Sequence, residues 1–128
     1  MNATVRIGIV GLGVVGGGVL KLLEQQSRLL QSRSGRRLEV VAVSARERTK
    51  KRAAGISSFK WYDNPLDLAA DPDIDVICEL IGGADGIALQ LSQAALKSGK
   101  HLVTANKALL AHHGNSLARM AEESAVNL

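Results

Sequence analysis

Gly11, Gly13 and Gly16 stand at the spacing G-x-G-x-x-G near the start of the chain. That spacing carries chemistry in one context, with a buried strand before it and a helix after it. Val5–Val10 supplies an apolar, β-branched strand, and a helical pattern begins at Val14. In that setting each glycine has its own task. Gly11 permits the tight turn off the strand, Gly13 lets backbone approach a pyrophosphate, and Gly16 lets the helix pack on the sheet. Leu12, Val14 and Val15 complete the turn, and the helix N-terminus offers free N–H groups and a positive dipole end to phosphates. The implied chemistry is dinucleotide binding. A glycine-rich turn that binds nothing is the plainer alternative, but it leaves Gly17 and Gly18 unexplained. Each costs about 1 kcal/mol relative to alanine in a helix, and close contact with a sheet or a ligand is the expected compensation.

The end of the second strand, Leu38–Val43, bears on which dinucleotide is taken. NAD-preferring folds place a carboxylate there to hold the ribose 2′-OH. This chain has Ser44, Ala45 and Arg46, followed by Arg48, Lys50, Lys51 and Arg52. A serine hydroxyl and the fork of a guanidinium suit a 2′-phosphate, so the expectation is NADP, with NAD possible. A solvated basic helix start is the competing reading of the same charges.

The elements that must position these residues follow in order. The first helix is expected over Val14–Gln31, with Leu20, Leu23 and Leu30 as its buried stripe, and Arg33–Arg37 as a loop. Phe59–Tyr62 reads as a short third strand in which Trp61 and Tyr62 pack. Asn64 and Pro65 are a helix cap and first position, and Asp71-Pro72-Asp73 closes that short helix. Ile74–Ile81 is the fourth strand, ended by Gly82 and Gly83, which would again face a ligand crevice. Glu79 is the odd residue in that apolar run; it either pairs with a basic neighbour or sits at the crevice. A helix over Asp85–Ser98, capped by Gly99, leads to a fifth strand at His101–Thr104. The last helix spans Lys107–Ser124 with Gly114 as a candidate break, and Val126–Leu128 reads as the start of a sixth strand.

At 128 residues the chain suits one domain, residues 1–128, with no room for a second lobe. Aromatics are only 2%, so the core is built from Val, Ile, Leu and Ala, which suits a parallel sheet covered on both faces. The fold class is therefore α/β, a doubly wound, mainly parallel sheet with helices on both faces. The net charge of +4 fits a phosphate-bearing ligand. With so few aromatics and no nucleic-acid motif, nucleic-acid binding is not expected. His101, His112 and His113 lack metal-ligand spacing, so no metal is expected. The single Cys78 excludes an internal disulfide, and with no signal pattern or long apolar run the expectation is a soluble, cytoplasmic protein without a membrane partner.

Three stretches carry a family resemblance: Ile7–Val19, Asp75–Gly83 and, most specific, Gly99-Lys100-His101-Leu102-Val103-Thr104-Ala105-Asn106-Lys107-Ala108-Leu109-Leu110-Ala111. Together they resemble the opening domain of homoserine dehydrogenases. The resemblance implies a Rossmann-type domain and an NAD(P)-linked oxidoreductase that interconverts L-aspartate 4-semialdehyde and L-homoserine. That reaction serves threonine, methionine and isoleucine biosynthesis, and the full enzyme is expected to be a homo-oligomer. By the same resemblance Gly82, Thr104 and Asn106 lie on the cofactor, and Lys107 lies where nicotinamide and substrate meet. A lysine there can polarise a carbonyl or stabilise a developing alkoxide. From spacing alone Lys107 is an exposed helix-start lysine; the Thr-Ala-Asn-Lys motif reverses that reading. The family's substrate and dimerisation domain has no counterpart in this chain, and its arginine-acid pair after the second strand is replaced by Ser44-Ala45-Arg46-Glu47. The chain alone is thus expected to bind cofactor weakly and turn over little. Another NADP-linked reductase domain and a non-catalytic dinucleotide sensor are the alternatives; the sensor would not need Lys107.

Overall fold

The computed structural model describes residues 4–45 and 59–128. Five strands, β1 (Thr4–Val10), β2 (Arg37–Ser44), β3 (Lys60–Trp61), β4 (Val76–Glu79) and β5 (His101–Thr104), form one sheet in the order β3-β2-β1-β4-β5. Every pairing is parallel. Parallel neighbours need crossover connections, and the helices supply them. These are α1 (Val14–Gln25), α2 (Ser27–Ser34), α3 (Pro65–Ala69), α4 (Ile87–Lys97) and α5 (Lys107–Glu123). The expected α/β class, with a parallel sheet, is the one found.

Alternation along the strands divides the core between the two sheet faces. Ile7, Ile9 and Val43 pack with Leu12 and with Leu20 of α1 on one face. Val10, Ala42, Ile77 and Leu102 pack with Leu68, Leu91, Leu96, Leu109 and Leu117 on the other. That second face carries α3, α4 and α5 and holds most of the fully buried residues.

Several boundaries differ from expectation for local reasons. The first helix is two helices, because the chain departs from helical geometry at Gln26 (φ −107°, ψ 17°). Between Leu23 and Leu29 no apolar side chain holds the axis to the sheet, and α2 buries none of its residues. β4 is shorter than Ile74–Ile81 because the Glu79 side chain, not a neighbouring strand, takes the Ile81 N–H. α5 runs unbroken through Gly114, its axis held by buried Leu109, Leu117 and Ala121. No sixth strand forms at Val126–Leu128: Asn127 accepts from the Leu102 N–H at 3.0 Å, but its own N–H donates to the His101 ring at 3.0 Å, so no ladder starts.

The cap signals fare better. Asn64 Oδ1 accepts from the Leu66 N–H at 3.0 Å with Pro65 at the first helical position. Gly99 (φ +76°) closes α4, with Gly99 N–H on the Leu96 carbonyl and Lys100 N–H on the Ala95 carbonyl, the paired bonds of a Schellman stop.

Two buried polar side chains, Asp71 and Lys100, lie at the amino ends of β4 and β5. Asp71, 7% exposed, accepts from the Tyr62 hydroxyl at 2.5 Å, from Lys60 Nζ at 3.3 Å and from the Asp73 N–H at 2.8 Å. Lys100 is also buried, and its ammonium donates to the carbonyls of Asp71 (2.7 Å) and Ile74 (3.1 Å). This pairing satisfies a buried cation with backbone dipoles and pins the loop before β4.

Candidate functional site

The carboxyl ends of the strands form one row. Ser44 of β2 is in register with Val10 of β1, Val10 with Glu79 of β4, and Glu79 with Thr104 of β5. The row crosses the point where strand order reverses, between β1 and β4. Open α/β sheets take ligands in the crevice outside such a switch point.

The turn after β1 is made by backbone packing. Gly11 has φ +99°, and its N–H donates to the Ser44 carbonyl at 2.8 Å. A Cβ on it would stand 2.7 Å from the Leu80 carbonyl oxygen, so only glycine lets the turn lie against the β4 loop. A Cβ on Gly16 would stand 1.8 Å from the Gly11 carbonyl oxygen, which fixes how closely α1 folds back on the turn. Gly13 is different: nothing lies within 4 Å of its Cβ direction. Gly17 and Gly18 are equally open, so the close contact expected of them is made by Gly16 instead. The first turn of α1 has neither a capping side chain nor an acidic residue, which leaves its N–H groups available to an anion. Leu12 is buried beneath the turn, whereas Val14 is 95% exposed and Val15 lines the crevice.

The corner after β4 and β5 is made by side chains. Glu79 is fully buried, with Oε1 accepting from the N–H groups of Ile81 (2.8 Å) and Gly82 (3.3 Å) and Oε2 from the Thr104 hydroxyl (2.6 Å). Of the two placements open from sequence, the crevice is correct; among the described residues no basic side chain pairs with Glu79. Thr104 Oγ1 in turn accepts from the Asn106 N–H at 3.0 Å. Asn106 caps α5 by accepting from the Leu109 N–H at 3.0 Å, and its Nδ2 donates to the Gly83 carbonyl. Gly82 (φ +94°) and Gly83 (φ +85°) let the loop curl over this network.

Between the two corners lies a cavity of about 250 Å³, lined by Val15, Glu79, Leu80, Ile81, Gly82, Ala105 and Asn106. Lys107 is exposed on the first turn of α5, immediately after Asn106. Behind it His113 of α5 meets Asp85 of the β4–α4 loop at 2.8 Å, a tie with no sequence signal because the two lie 28 positions apart. Ser44 is 2% exposed: its carbonyl holds Gly11, and its hydroxyl is sunk beneath the turn rather than presented at the surface. The other half of the expected phosphate corner, Arg46, lies outside the described residues, as do Arg48, Lys50, Lys51 and Arg52. Cys78, next to Glu79 in β4, has its thiol pushed up to about 11 by burial, which makes it an inert packing group. No group of side chains that could hold a metal ion occurs among the described residues. Nor is any helix among them long and apolar enough to cross a membrane.

These residues fit a dinucleotide. An uncapped helix N-terminus and an open Gly13 suit the pyrophosphate, and a part-apolar cavity beside β4 and β5 suits a flat ring.

Comparison with known proteins agrees with this geometry. Residues 11–128 match the family model described as homoserine dehydrogenase, NAD binding domain. The homoserine dehydrogenase of Pseudomonas aeruginosa is 43% identical over 122 residues, covering 95% of this chain and 27% of that protein. That of Neisseria gonorrhoeae is 39% identical over 122 residues, covering 95% of this chain and 28% of the relative. The crystal structure of S. aureus homoserine dehydrogenase superposes with a TM-score of 0.91 at 33% identity, over 100% of this chain and 32% of that one. The chain thus spans under a third of the length of these relatives.

Proposed function

The chain belongs to the family of homoserine dehydrogenase NAD-binding domains, and from that membership we propose that it is the cofactor-holding part of an enzyme interconverting L-aspartate 4-semialdehyde and L-homoserine. A nicotinamide dinucleotide is the cofactor class the family takes. The observation that carries the reading is the packing of the glycine turn, Gly11 against Leu80 and Gly16 against Gly11, at the point where strand order reverses. Gly11, Leu12, Gly13, Val14, Val15 and Gly16 form the phosphate turn. Gly82, Thr104 and Asn106 shape the cavity beside it.

The bound cofactor would supply the hydride. Lys107 holds the substrate oxygen: its ammonium stabilises negative charge that grows there as the carbonyl is reduced. A lysine gains nothing from the helix dipole at an N-terminus, where anions are favoured, so its place on the first turn of α5 suits a substrate role better than a stabilising one. NADP is the preferred form in this reading, with Arg46 rather than the buried Ser44 meeting the 2′-phosphate, and NAD as the weaker ligand. The chain alone binds cofactor and turns over little or nothing; substrate contacts and a homo-oligomeric assembly belong to the longer enzyme.

Calorimetric titration of the 128-residue chain with NADPH and NADH tests this. One charge-assisted contact is worth about 1.5 kcal/mol, so NADPH should bind roughly tenfold tighter than NADH, and Arg46→Ala should remove the difference. Equal affinities would remove the NADP preference while keeping the dinucleotide site. In a full-length relative the counterpart of Lys107→Ala should lower kcat by about a hundredfold or more; an unchanged rate would return Lys107 to an ordinary surface lysine.

A further inference from the structure

We propose that Glu79 is the positioning residue for the nicotinamide half of the crevice, acting through a closed ring of hydrogen bonds rather than by touching cofactor or substrate. The inference rests on the dinucleotide reading above. Recognition of the adenosine ribose falls at the end of the second strand in such folds, so the other half of the ligand lies over β4 and β5.

The ring can be followed atom by atom. Glu79 Oε1 accepts from the Gly82 N–H, and the chain continues to Gly83, whose carbonyl accepts from Asn106 Nδ2. The Asn106 N–H donates to Thr104 Oγ1, and the Thr104 hydroxyl donates to Glu79 Oε2. Glu79 receives three bonds in all, with Ile81 N–H the third, so both carboxyl oxygens are engaged as acceptors.

A buried carboxyl group with no cationic partner among the described residues is a costly way to fill a sheet; an apolar residue of similar volume would serve the core better. What the carboxyl group achieves is a link between loops that the ladder no longer joins. The β4–β5 register ends at the Glu79–Thr104 pair. Beyond it the Leu80 N–H still donates to the Val10 carbonyl, while Ile81, Gly82 and Asn106 of the cavity wall are tied to the Glu79–Thr104 pair. The ring also sets Asn106, hence the first turn of α5 and Lys107 upon it. Leucine at position 79 removes the acceptor for Gly82 and Thr104 and opens the ring. Glutamine can still accept from Ile81 and Gly82 and can donate its NH₂ to the remaining lone pair of Thr104 Oγ1, so the ring stays closed.

The test is calorimetric titration of the whole chain with whole and half ligands: NADPH against 2′,5′-ADP, and NADH against ADP. In the wild type the whole dinucleotide should bind tighter than its adenosine half. Glu79→Leu should lower the affinity for NADPH and NADH at least tenfold and leave 2′,5′-ADP and ADP within twofold, whereas Glu79→Gln should stay near wild type. Thr104→Val should act in the same direction, and Thr104→Ser, which keeps the hydroxyl, should behave as wild type. Equal losses on whole and half ligands from Glu79→Leu, or no loss on either, would overturn the proposal and make Glu79 a purely structural residue. If Glu79→Leu fails to fold, the same comparison on Thr104→Val against Thr104→Ser decides it. A wild type that binds the half ligands but gains nothing from the nicotinamide would sink this inference alone. A wild type that binds no member of either pair would overturn the dinucleotide reading and this inference with it.

Discussion

Two corners of one sheet edge are built by opposite means. After β1 the chain turns by removing side chains, with Gly11 against Leu80 and Gly16 against Gly11 at distances no Cβ could share. After β4 and β5 it turns by adding them, with Glu79, Thr104 and Asn106 closing a hydrogen-bonded ring. The first design is stiff because backbone atoms have nowhere to go. The second is directional, since each bond requires a particular donor at a particular atom. The comparison teaches that tightness at the phosphate turn is steric, while shape at the neighbouring cavity is electrostatic.

The largest effect should come from restoring a side chain to the steric corner. Gly16→Ala places a Cβ at 1.8 Å from a backbone oxygen, and overpacking of this kind costs about 3 kcal/mol. Urea unfolding should show the loss, and an unchanged midpoint would break the steric account. Gly13→Ala is its partner experiment: the site is open, so stability should change by less than about 1 kcal/mol, while NADPH affinity falls because the methyl occupies the phosphate's approach.

Asn106→Ala comes next, at the directional corner. It removes the cap on Leu109 and the tie to Gly83 together, for a cost of about 1–2 kcal/mol in thermal or urea unfolding. A cost near zero would mean that the ring is not under load.

The Asp71 cluster serves as a control, a side-chain corner remote from the cavity. Tyr62→Phe removes the bond that most lowers the Asp71 carboxyl and should cost about 1 kcal/mol at neutral pH with cofactor affinity unchanged. The pH sign follows from the direction of the shift. Asp71 is held below its usual 3.8, chiefly by the Tyr62 hydroxyl, so its contribution is present above that value and lost as pH falls through the folded value. Tyr62 is raised above 10.0, chiefly by burial, so its contribution is present below that value and lost as pH climbs beyond it. Unfolding midpoints across the acid range should show a flatter acid limb in the Tyr62→Phe chain than in the wild type.

The smallest effect concerns Cys78, beside Glu79 in β4. With its thiol pushed up to about 11, alkylation by iodoacetamide near neutral pH should be slow in the folded chain and fast in urea. Rapid labelling of the folded chain would mean that β4 opens readily, and would weaken the claim that the directional corner is rigid.

The amount legible from sequence differs between the corners for the same physical reason. The glycine spacing, the strand before it and the helix after it are local, so the glycine turn and the α/β class could be read directly, as could the Asn64 and Gly99 helix ends. Glu79 could be recognised only as an oddity, because its partner Thr104 lies 25 positions away and nothing local says which strand stands beside which. Lys100 and the His113–Asp85 tie were equally silent for that reason. Gly17 and Gly18 show the limit in another way. Their cost in a helix pointed to close contact with a sheet or a ligand, and on α1 they face away from the sheet, with no protein atom within 4 Å of either Cβ direction.

By itself, then, the order of residues determined the α/β class, most of the elements, the glycine turn and the family to which the chain belongs, since each rests on short-range patterns of side-chain size and polarity. Only the tertiary structure decided that strand ends from four separate segments stand in one row, Ser44, Val10, Glu79 and Thr104. A buried carboxyl group is tolerable only where donors reach it; two of Glu79's lie in the next three residues, but the third, Thr104, is chosen by sheet order, which no local stretch of the chain encodes.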